Sequence, residues 1–293
     1  QINDETTENM TLEEAVSRLR GEPGTDVTVH LRRKGTKGHL EKTLTREIIK
    51  VRSVTSHNLG DGIGYLRIKS FRETTTDDTV TALAELRQAG AKKGLVLDLR
   101  DNPGGLLEQA VAISDLFLDK GVIVTTVGLS GQLRESRYAH ASGSLTDLPL
   151  LILISGGSAS ASEIVAGAVR NHRRGLLLGN QSFGKGSVQQ HYDLDDSSAV
   201  RITVAKFYTP SGRSIQRDYN SGDDDYYYNL NVDNRELSDS LKNTLPQFKT
   251  KKGRTVYGGG GITPDIYFQD TTKLSKKAVD LIYNPKRPIF NYT

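Results

Sequence analysis

The segment at residues 149–154 reads Pro-Leu-Leu-Ile-Leu-Ile, and it constrains the fold more than any other part of the chain. Every residue after the proline is apolar, with no polar residue alternating between them. Such a run is typical of a strand that is covered on both faces, as in a sheet with helices packed on either side. A helical pattern follows at once, at residues 161–169. The sequence therefore predicts a central strand of an α/β protein.

The same succession of strand and helix patterns continues on both sides of this segment. Apolar residues at helical spacing predict helices at residues 77–89 and 106–118. Short apolar runs predict further strands at residues 65–68, 94–99, 175–178 and 200–207. This succession of strand, loop and helix favours α/β layering.

The first part of the chain has a different pattern. Residues 11–20 predict a short amphipathic helix that begins after an N-cap at Thr11. Two alternating stretches, at residues 27–31 and 40–44, predict half-buried strands. We therefore place a domain boundary after residue 44, which gives a small N-terminal domain at 1–44 and a core domain at 45–293.

Composition excludes several classes of protein. The net charge is only +4, and no Lys/Arg run with interleaved aromatic residues indicates a nucleic-acid groove. The chain has no Cys, which excludes disulfides and thiolate nucleophiles. No apolar run reaches the roughly 20 residues that would span a bilayer. No two His residues share a helical face beside a carboxylate, so neither a metal nor another cofactor is predicted.

A serine-rich turn at residues 155–163 is the first candidate for chemistry. It lies between the apolar strand and a predicted helix, so one of its serines would be lifted to the carboxyl edge of the sheet. Free N–H groups at the start of the helix would lie nearby and could stabilise an oxyanion. The alternative is an ordinary strand-to-helix turn, in which Ser and Gly are common.

The second candidate is Lys185, which lies between Gly184 and Gly186. An amine confined away from water loses basicity and can act as a general base near neutral pH. The alternative is a solvated lysine in a surface turn. A serine nucleophile with a lysine base is a known variant of the catalytic triad that needs no His. None of the six His residues offers a better base.

Five segments together resemble one family. They are GYLRI at 64–68, LDLRDNPGG at 97–105, GSASASEI at 157–164, FGKGSVQ at 183–189 and YTPSGRSI at 208–215. On these segments the chain is similar to the C-terminal processing peptidases, or tail-specific proteases, of serine peptidase family S41, which use a Ser–Lys dyad.

The resemblance implies a role for individual residues. The nucleophile of the family falls on Ser160, the middle serine of SASAS, and the base falls on Lys185. Gln189 matches a residue that helps to orient the base. The oxyanion donors would be the backbone N–H groups of Ala161 and of Gly104, with Gly105 as the near alternative.

The same resemblance implies a fold and a substrate. The core would resemble the Clp peptidase and crotonase group, and residues 1–44 would be the latter part of a PDZ domain, whose first strands would lie upstream of Gln1. The substrates would be unfolded C-terminal tails of polypeptides, cleaved internally through an acyl-enzyme. The family also implies an extracytoplasmic location, in a periplasm or cell envelope.

Two alternatives to an active peptidase stay open. One is a latent peptidase, in which Ser160 and Lys185 are too far apart until a tail binds. The other is a non-catalytic peptide-binding scaffold of the same fold. The sequence indicates neither the oligomeric state nor the natural substrate.

Overall fold

The computed structural model describes residues 1–33, 35, 38–49, 52–128, 130–131, 134–141, 145–195, 198–217, 243–258, 260–268, 277–278 and 281. The chain divides into two compact units, Gln1–Arg52 and Ser53–Thr293. The assignment of residues 1–44 to a PDZ domain stays a prediction.

The N-terminal unit contains one helix and a two-stranded antiparallel sheet. Its elements are α1 (Leu12–Leu19), β1 (Asp26–Leu31) and β2 (Leu40–Thr45). Thr11 caps the helix as predicted, because its hydroxyl accepts from the Glu14 N–H while the Glu14 carboxylate accepts from the Thr11 N–H. This reciprocal pair is a capping box, which satisfies two donors at the start of the helix.

Arg46 ties the helix of this unit to its sheet. The guanidinium donates hydrogen bonds to three backbone carbonyls and one hydroxyl, those of Arg18, Leu19, Asp26 and Thr25. The end of α1 and the start of β1 are thereby held by one side chain.

The larger unit is built on a six-stranded sheet. Its strands, in spatial order, are β14 (Ile266–Tyr267), β9 (Leu176–Gly179), β8 (Leu150–Ile154), β5 (Gly94–Asp98), β4 (Ile63–Ile68) and β3 (Val54–Gly60). All neighbouring pairs are parallel except β3 with β4. The run at 149–154 is a central strand, as predicted, and Ile152 and Ile154 on β8 are buried.

Three helices pack with this sheet around one apolar core. They are α2 (Thr75–Gln88), α3 (Leu107–Asp115) and α4 (Ala161–His172). Helix α4 is the most deeply buried of the three, since all its residues from Ala161 to Asn171 are buried. Among the described helices, none is both long enough and apolar enough to cross a bilayer.

A second, antiparallel sheet lies in the same unit. Its spatial order is β10 (Ser187–Asp193), β11 (Ala199–Tyr208), β6 (Gly121–Gly128) and β7 (Arg134–Ala139). A short hairpin of β12 (Gln247–Lys249) and β13 (Thr255–Tyr257) follows later in the chain. The sequence patterns predicted β11 but not the other strands of this sheet.

Candidate active site

The turn between β8 and α4 carries Ser160 at its end. Ser160 precedes the first residue of α4 and has φ 56° and ψ −111°. A residue other than glycine is uncommon at positive φ and costs of order 1–3 kcal/mol there. Such a conformation persists only where the surroundings over-determine it, and it is found most often at functional sites. The Ser160 side chain is partly exposed.

The two neighbouring serines have different surroundings. The Ser158 hydroxyl donates to the Leu99 carbonyl at 2.7 Å, and the Ser162 hydroxyl donates to the Asn102 carbonyl at 3.0 Å. Both side chains are buried. Of the three serines in SASAS, Ser160 is therefore the one whose hydroxyl is not committed to a carbonyl of the underlying loop.

That underlying loop follows β5 and packs directly on the turn. An added Cβ at Gly104 would lie 2.8 Å from the Cβ of Ser160, so only glycine fits there. The buried Asn102 side chain orders the loop, because its amide donates to the Ile68 carbonyl and its oxygen accepts from the Gly104 N–H. The Ala159 N–H in turn donates to the Asn102 carbonyl at 2.9 Å.

The backbone N–H groups predicted as oxyanion donors differ in whether they already have a hydrogen-bond acceptor. The Ala161 N–H, at the start of α4, has no acceptor in the part of the chain that the structure describes. The Gly104 N–H donates to the Asn102 side chain at 2.9 Å, whereas the Gly105 N–H has no acceptor among the described residues. The near alternative, Gly105, is thus the loop donor that is available. Both oxyanion assignments stay predictions.

Lys185 and Gln189 lie together. The Lys185 Nζ donates to the Gln189 Oε1 at 3.4 Å, across the start of β10. Lys185 is partly exposed and Gln189 is exposed. Within the described residues, the Ser160 hydroxyl and the Lys185 amine form no hydrogen bond with each other.

Glu163, which the sequence analysis did not single out, connects the two candidate residues. Its Oε2 accepts from the Ser160 N–H at 2.8 Å and from the Lys185 N–H at 2.9 Å. Its Oε1 accepts from the Gly184 N–H at 2.7 Å and from the Ser182 hydroxyl at 2.5 Å. Burial raises the pKa of this carboxyl, while the four donors act in the opposite direction by stabilising its charged form.

A sequence signal for Glu163 does exist. Ser-x-x-Glu at the start of a helix is the capping-box pattern, in which the acidic side chain accepts from the N–H of the cap residue. That pattern predicts the Ser160 bond. It does not predict the bonds from residues 182–185, which lie in another segment.

A second buried carboxylate supports the loop after β5. Asp98 accepts a hydrogen bond from the Tyr65 hydroxyl at 2.6 Å and pairs with the Arg100 guanidinium at 2.7 Å. Burial alone would raise the pKa of Asp98, but the hydrogen bonds from Arg100 and Tyr65 outweigh it and lower the pKa.

Among the described residues, no group of three or more His, Cys, Asp or Glu side chains could hold a metal ion.

Comparison with known families now identifies the chain. A family model described as peptidase family S41 matches residues 62–223, which includes Ser160, Lys185 and Gln189. The chain belongs to peptidase family S41. The predicted resemblance is confirmed at the level of the family.

The relatives carry corresponding names. The carboxy-terminal-processing protease of Bartonella bacilliformis is 47% identical over 220 residues, which are 74% of this chain and 50% of that protein. The carboxyl-terminal-processing protease of Synechocystis is 38% identical over 215 residues, which are 72% of this chain and 50% of that protein. The chain therefore spans about half the length of these curated relatives.

Solved structures confirm the mixed α/β fold. A photosystem II D1 C-terminal processing protease is 33% identical, with a TM-score of 0.51 over 74% of this chain and 59% of that one. A putative S41 protease from Bacteroides fragilis is 17% identical and has a TM-score of 0.51 over 83% of this chain and 71% of that one. The second likeness shows the fold alone.

Proposed function

We propose that this S41 chain is a serine endopeptidase in which Ser160 is the nucleophile and Lys185 is the general base. The observation that carries the proposal is the local geometry of Ser160. It lies at positive φ at the start of α4, its hydroxyl donates to no backbone carbonyl among the described residues, and its backbone N–H shares one carboxylate with the backbone N–H of Lys185.

The proposed reaction is acyl transfer. The Lys185 amine takes the hydroxyl proton as the Ser160 Oγ attacks the carbonyl carbon of the scissile peptide. The C–N bond then breaks, and Lys185 passes that proton to the leaving amine. Water hydrolyses the acyl-enzyme with the same lysine as base. The developing oxyanion would be stabilised by the N–H groups of Ala161 and of Gly104 or Gly105.

One observation favours a resting form of this peptidase. The Lys185 amine contacts Gln189 and not the Ser160 hydroxyl. Both backbones are anchored on Glu163, so in this candidate the resting and active forms would differ in the lysine side chain and not in either backbone segment. We therefore retain the latent peptidase as the second candidate, ahead of a non-catalytic peptide-binding scaffold.

The names of the relatives support the proposed substrates. Carboxyl-terminal processing implies cleavage of a polypeptide near its end, so we propose unfolded C-terminal tails as substrates. In this proposal residues 1–44 are the latter part of a PDZ domain, which would capture the tail as an added strand. We also propose an extracytoplasmic location, in a periplasm or cell envelope.

The test compares the parent protein with Ser160→Ala and Lys185→Ala. The substrate is an unstructured protein, cleavage is followed by mass spectrometry, and folding is checked by circular dichroism. Both folded variants should lose on the order of 10⁴-fold in kcat, as expected when one member of such a catalytic unit is removed. The matched controls are Ser114→Ala, which removes a buried serine of α3, and Lys92→Ala, which removes an exposed lysine. Cleavage by folded Ser160→Ala at the parent rate would contradict the proposal.

A further inference from the structure

Ser182 is a buried serine in residues 181–186, the segment that carries Lys185, which we call the base segment. Its side chain is completely inaccessible to solvent. The hydroxyl donates to the Glu163 Oε1 at 2.5 Å and accepts from the Ile262 N–H at 2.6 Å. It therefore joins the carboxylate that holds Ser160 and Lys185 to a turn that lies 80 positions further along the chain.

That turn is rich in glycine, and its described residues are 258 and 260–262. We call residues 260–262 the glycine turn. The Ser182 N–H donates to the Ile262 carbonyl at 3.0 Å, and the Gln181 side chain donates to the Gly260 carbonyl at 2.7 Å. Gly261 has φ 64°, and an added Cβ would lie 2.3 Å from the Ser182 carbonyl oxygen. The glycine turn is thus in direct backbone contact with the base segment and admits no side chain at this point.

A buried cation holds the other side of the glycine turn. Arg213 is 2% exposed, and its Nη1 donates to the Gly261 carbonyl at 2.9 Å. Burial lowers the pKa of Arg213 to about 10, and the negative charge of Glu163 acts in the opposite direction. The Arg213 guanidinium and the Glu163 carboxylate therefore attract each other. Arg213 bonds the glycine turn, and the glycine turn is joined to Glu163 through Ser182.

The backbone of the base segment is therefore held by several partners. Gly184 and Lys185 donate to Glu163, while the Gly184 carbonyl accepts from the Arg217 N–H at 2.8 Å. An added Cβ at Gly184 would lie 2.9 Å from the Gly261 nitrogen. Small displacements of the glycine turn would be transmitted to Lys185, because no free space lies between them.

We infer that Ser182 and the glycine turn are a positioning element for Lys185, acting through Glu163. They touch no substrate and transfer no proton. Their contribution is to fix the backbone of Lys185 relative to the backbone of Ser160. This inference rests on the proposed Ser–Lys dyad.

The experiment measures kcat and KM for an unstructured protein, together with the rate at which a fluorophosphonate labels Ser160. Ser182→Ala removes two hydrogen bonds without adding any atom. Because a misplacement of about 1 Å costs on the order of 10²-fold in rate, we expect kcat and the labelling rate to fall about tenfold, with KM changed less than about threefold. Ser114→Ala is the matched control, since its equally buried hydroxyl bonds only the Ala110 carbonyl within α3.

A second pair of variants tests the glycine turn and covers the case in which Ser182→Ala does not fold. Gly261→Ala should show the same fall in kcat, or a larger one. Gly253→Ala has a similar φ, 77° against 64°, but no atom lies within 4 Å of its added Cβ. It carries the backbone strain of a left-handed alanine without touching the base segment, and it should keep the kcat of the parent.

The outcomes separate this inference from the proposed function. If Ser160→Ala and Lys185→Ala are inactive while Ser182→Ala and Gly261→Ala keep kcat within about threefold of their controls, the positioning role is wrong and the dyad stands. If Ser160→Ala cleaves like the parent, the dyad is wrong and the inference falls with it. A loss of stability without a loss of kcat would show that Ser182 has a structural role only.

Discussion

Gly104→Ala tests whether the loop after β5 holds the proposed nucleophile, Ser160, in place. Gly104 has φ 101°, and its added Cβ would lie 2.8 Å from the Ala159 carbonyl oxygen, 2.8 Å from the Ser160 Cβ and 2.9 Å from the Ala161 nitrogen. Ordinary van der Waals contact begins at 3.4 Å. The loop and the turn would therefore have to separate by about 0.6 Å, which is the difference between contact distance and 2.8 Å.

Two costs follow from this displacement. An alanine at such a φ costs about 1–3 kcal/mol, and overpacking against backbone costs about 1–3 kcal/mol more, so the free energy of unfolding should fall by about 2–6 kcal/mol. A misplacement of about 1 Å costs on the order of 10²-fold in rate, so about 0.6 Å should lower kcat roughly 10- to 20-fold. The affected atoms are those of Ser160 and of the N–H group of Ala161.

Gly90→Ala is the control. Gly90 follows α2 with φ 92°, and no atom lies within 4 Å of its added Cβ. This variant should lose only about 1–3 kcal/mol and keep the parent kcat. Urea denaturation gives the stabilities, and kcat is measured at a temperature where both variants are fully folded. If kcat of Gly104→Ala equals that of Gly90→Ala, the loop does not constrain the nucleophile and our reading of the site is wrong.

Three further predictions concern stability. Hydrogen bonds lower the pKa of Asp98, so its contribution to stability is present above the usual Asp pKa of about 3.9 and is lost as the pH falls through the lowered value. On acidification from about pH 5, the urea midpoint of the parent should therefore fall more steeply than that of Asp98→Asn. Parallel curves for the two proteins would refute this. Ile152→Ala should cost about 2–5 kcal/mol in urea unfolding, because the side chain is completely buried, and a loss under about 1 kcal/mol would contradict the packing. Arg46→Met removes the hydrogen bond to the Asp26 carbonyl, so it should lower amide-exchange protection in β1 by about 1–3 kcal/mol and leave that of β8 unchanged. An equal loss in both strands would contradict the division into two units.

The main sheet was largely predictable from the sequence because its strands and helices differ sharply in apolar pattern. The run at 149–154 became β8, and the predicted helix at 161–169 became the longer α4. Strand β3 was missed although a signal for its hairpin exists. Asp61-Gly62 occupies the turn between β3 and β4 with φ 49° and 83°, and Asp-Gly is the pair that such hairpin turns favour.

The second sheet was harder to predict because its pairings join distant segments. Strand β6 pairs with β11, so that Thr126 lies opposite Phe207. The strand at residues 121–128 was missed although these residues are rich in β-branched side chains, and no local signal identifies its partner. Strand β10 was also missed, and the sequence analysis identified only Gln189 within it.

The candidate site shows the same difference between local and distant information. Ser160 and its turn could be predicted because strand, turn and helix are consecutive. The pairing of Ser160 with Lys185 came from resemblance to a family, and the role of Glu163 was only half visible in its capping pattern. The contact of Ser182 with Ile262 could not be predicted, since it crosses 80 positions and depends on the packing of β9 and β14.

These contacts explain why the proposed nucleophile can persist at positive φ. The strained conformation of Ser160 must be held by its neighbours, and the structure provides two independent holds: the loop at Asn102 and Gly104 from below, and Glu163 from the helix. Only the second hold also reaches Lys185. Loss of the loop should therefore misplace the nucleophile alone, whereas loss of the carboxylate should misplace both members of the proposed dyad relative to each other. Substitutions at Glu163 should consequently lower kcat more per kcal/mol of lost stability than substitutions at Asn102.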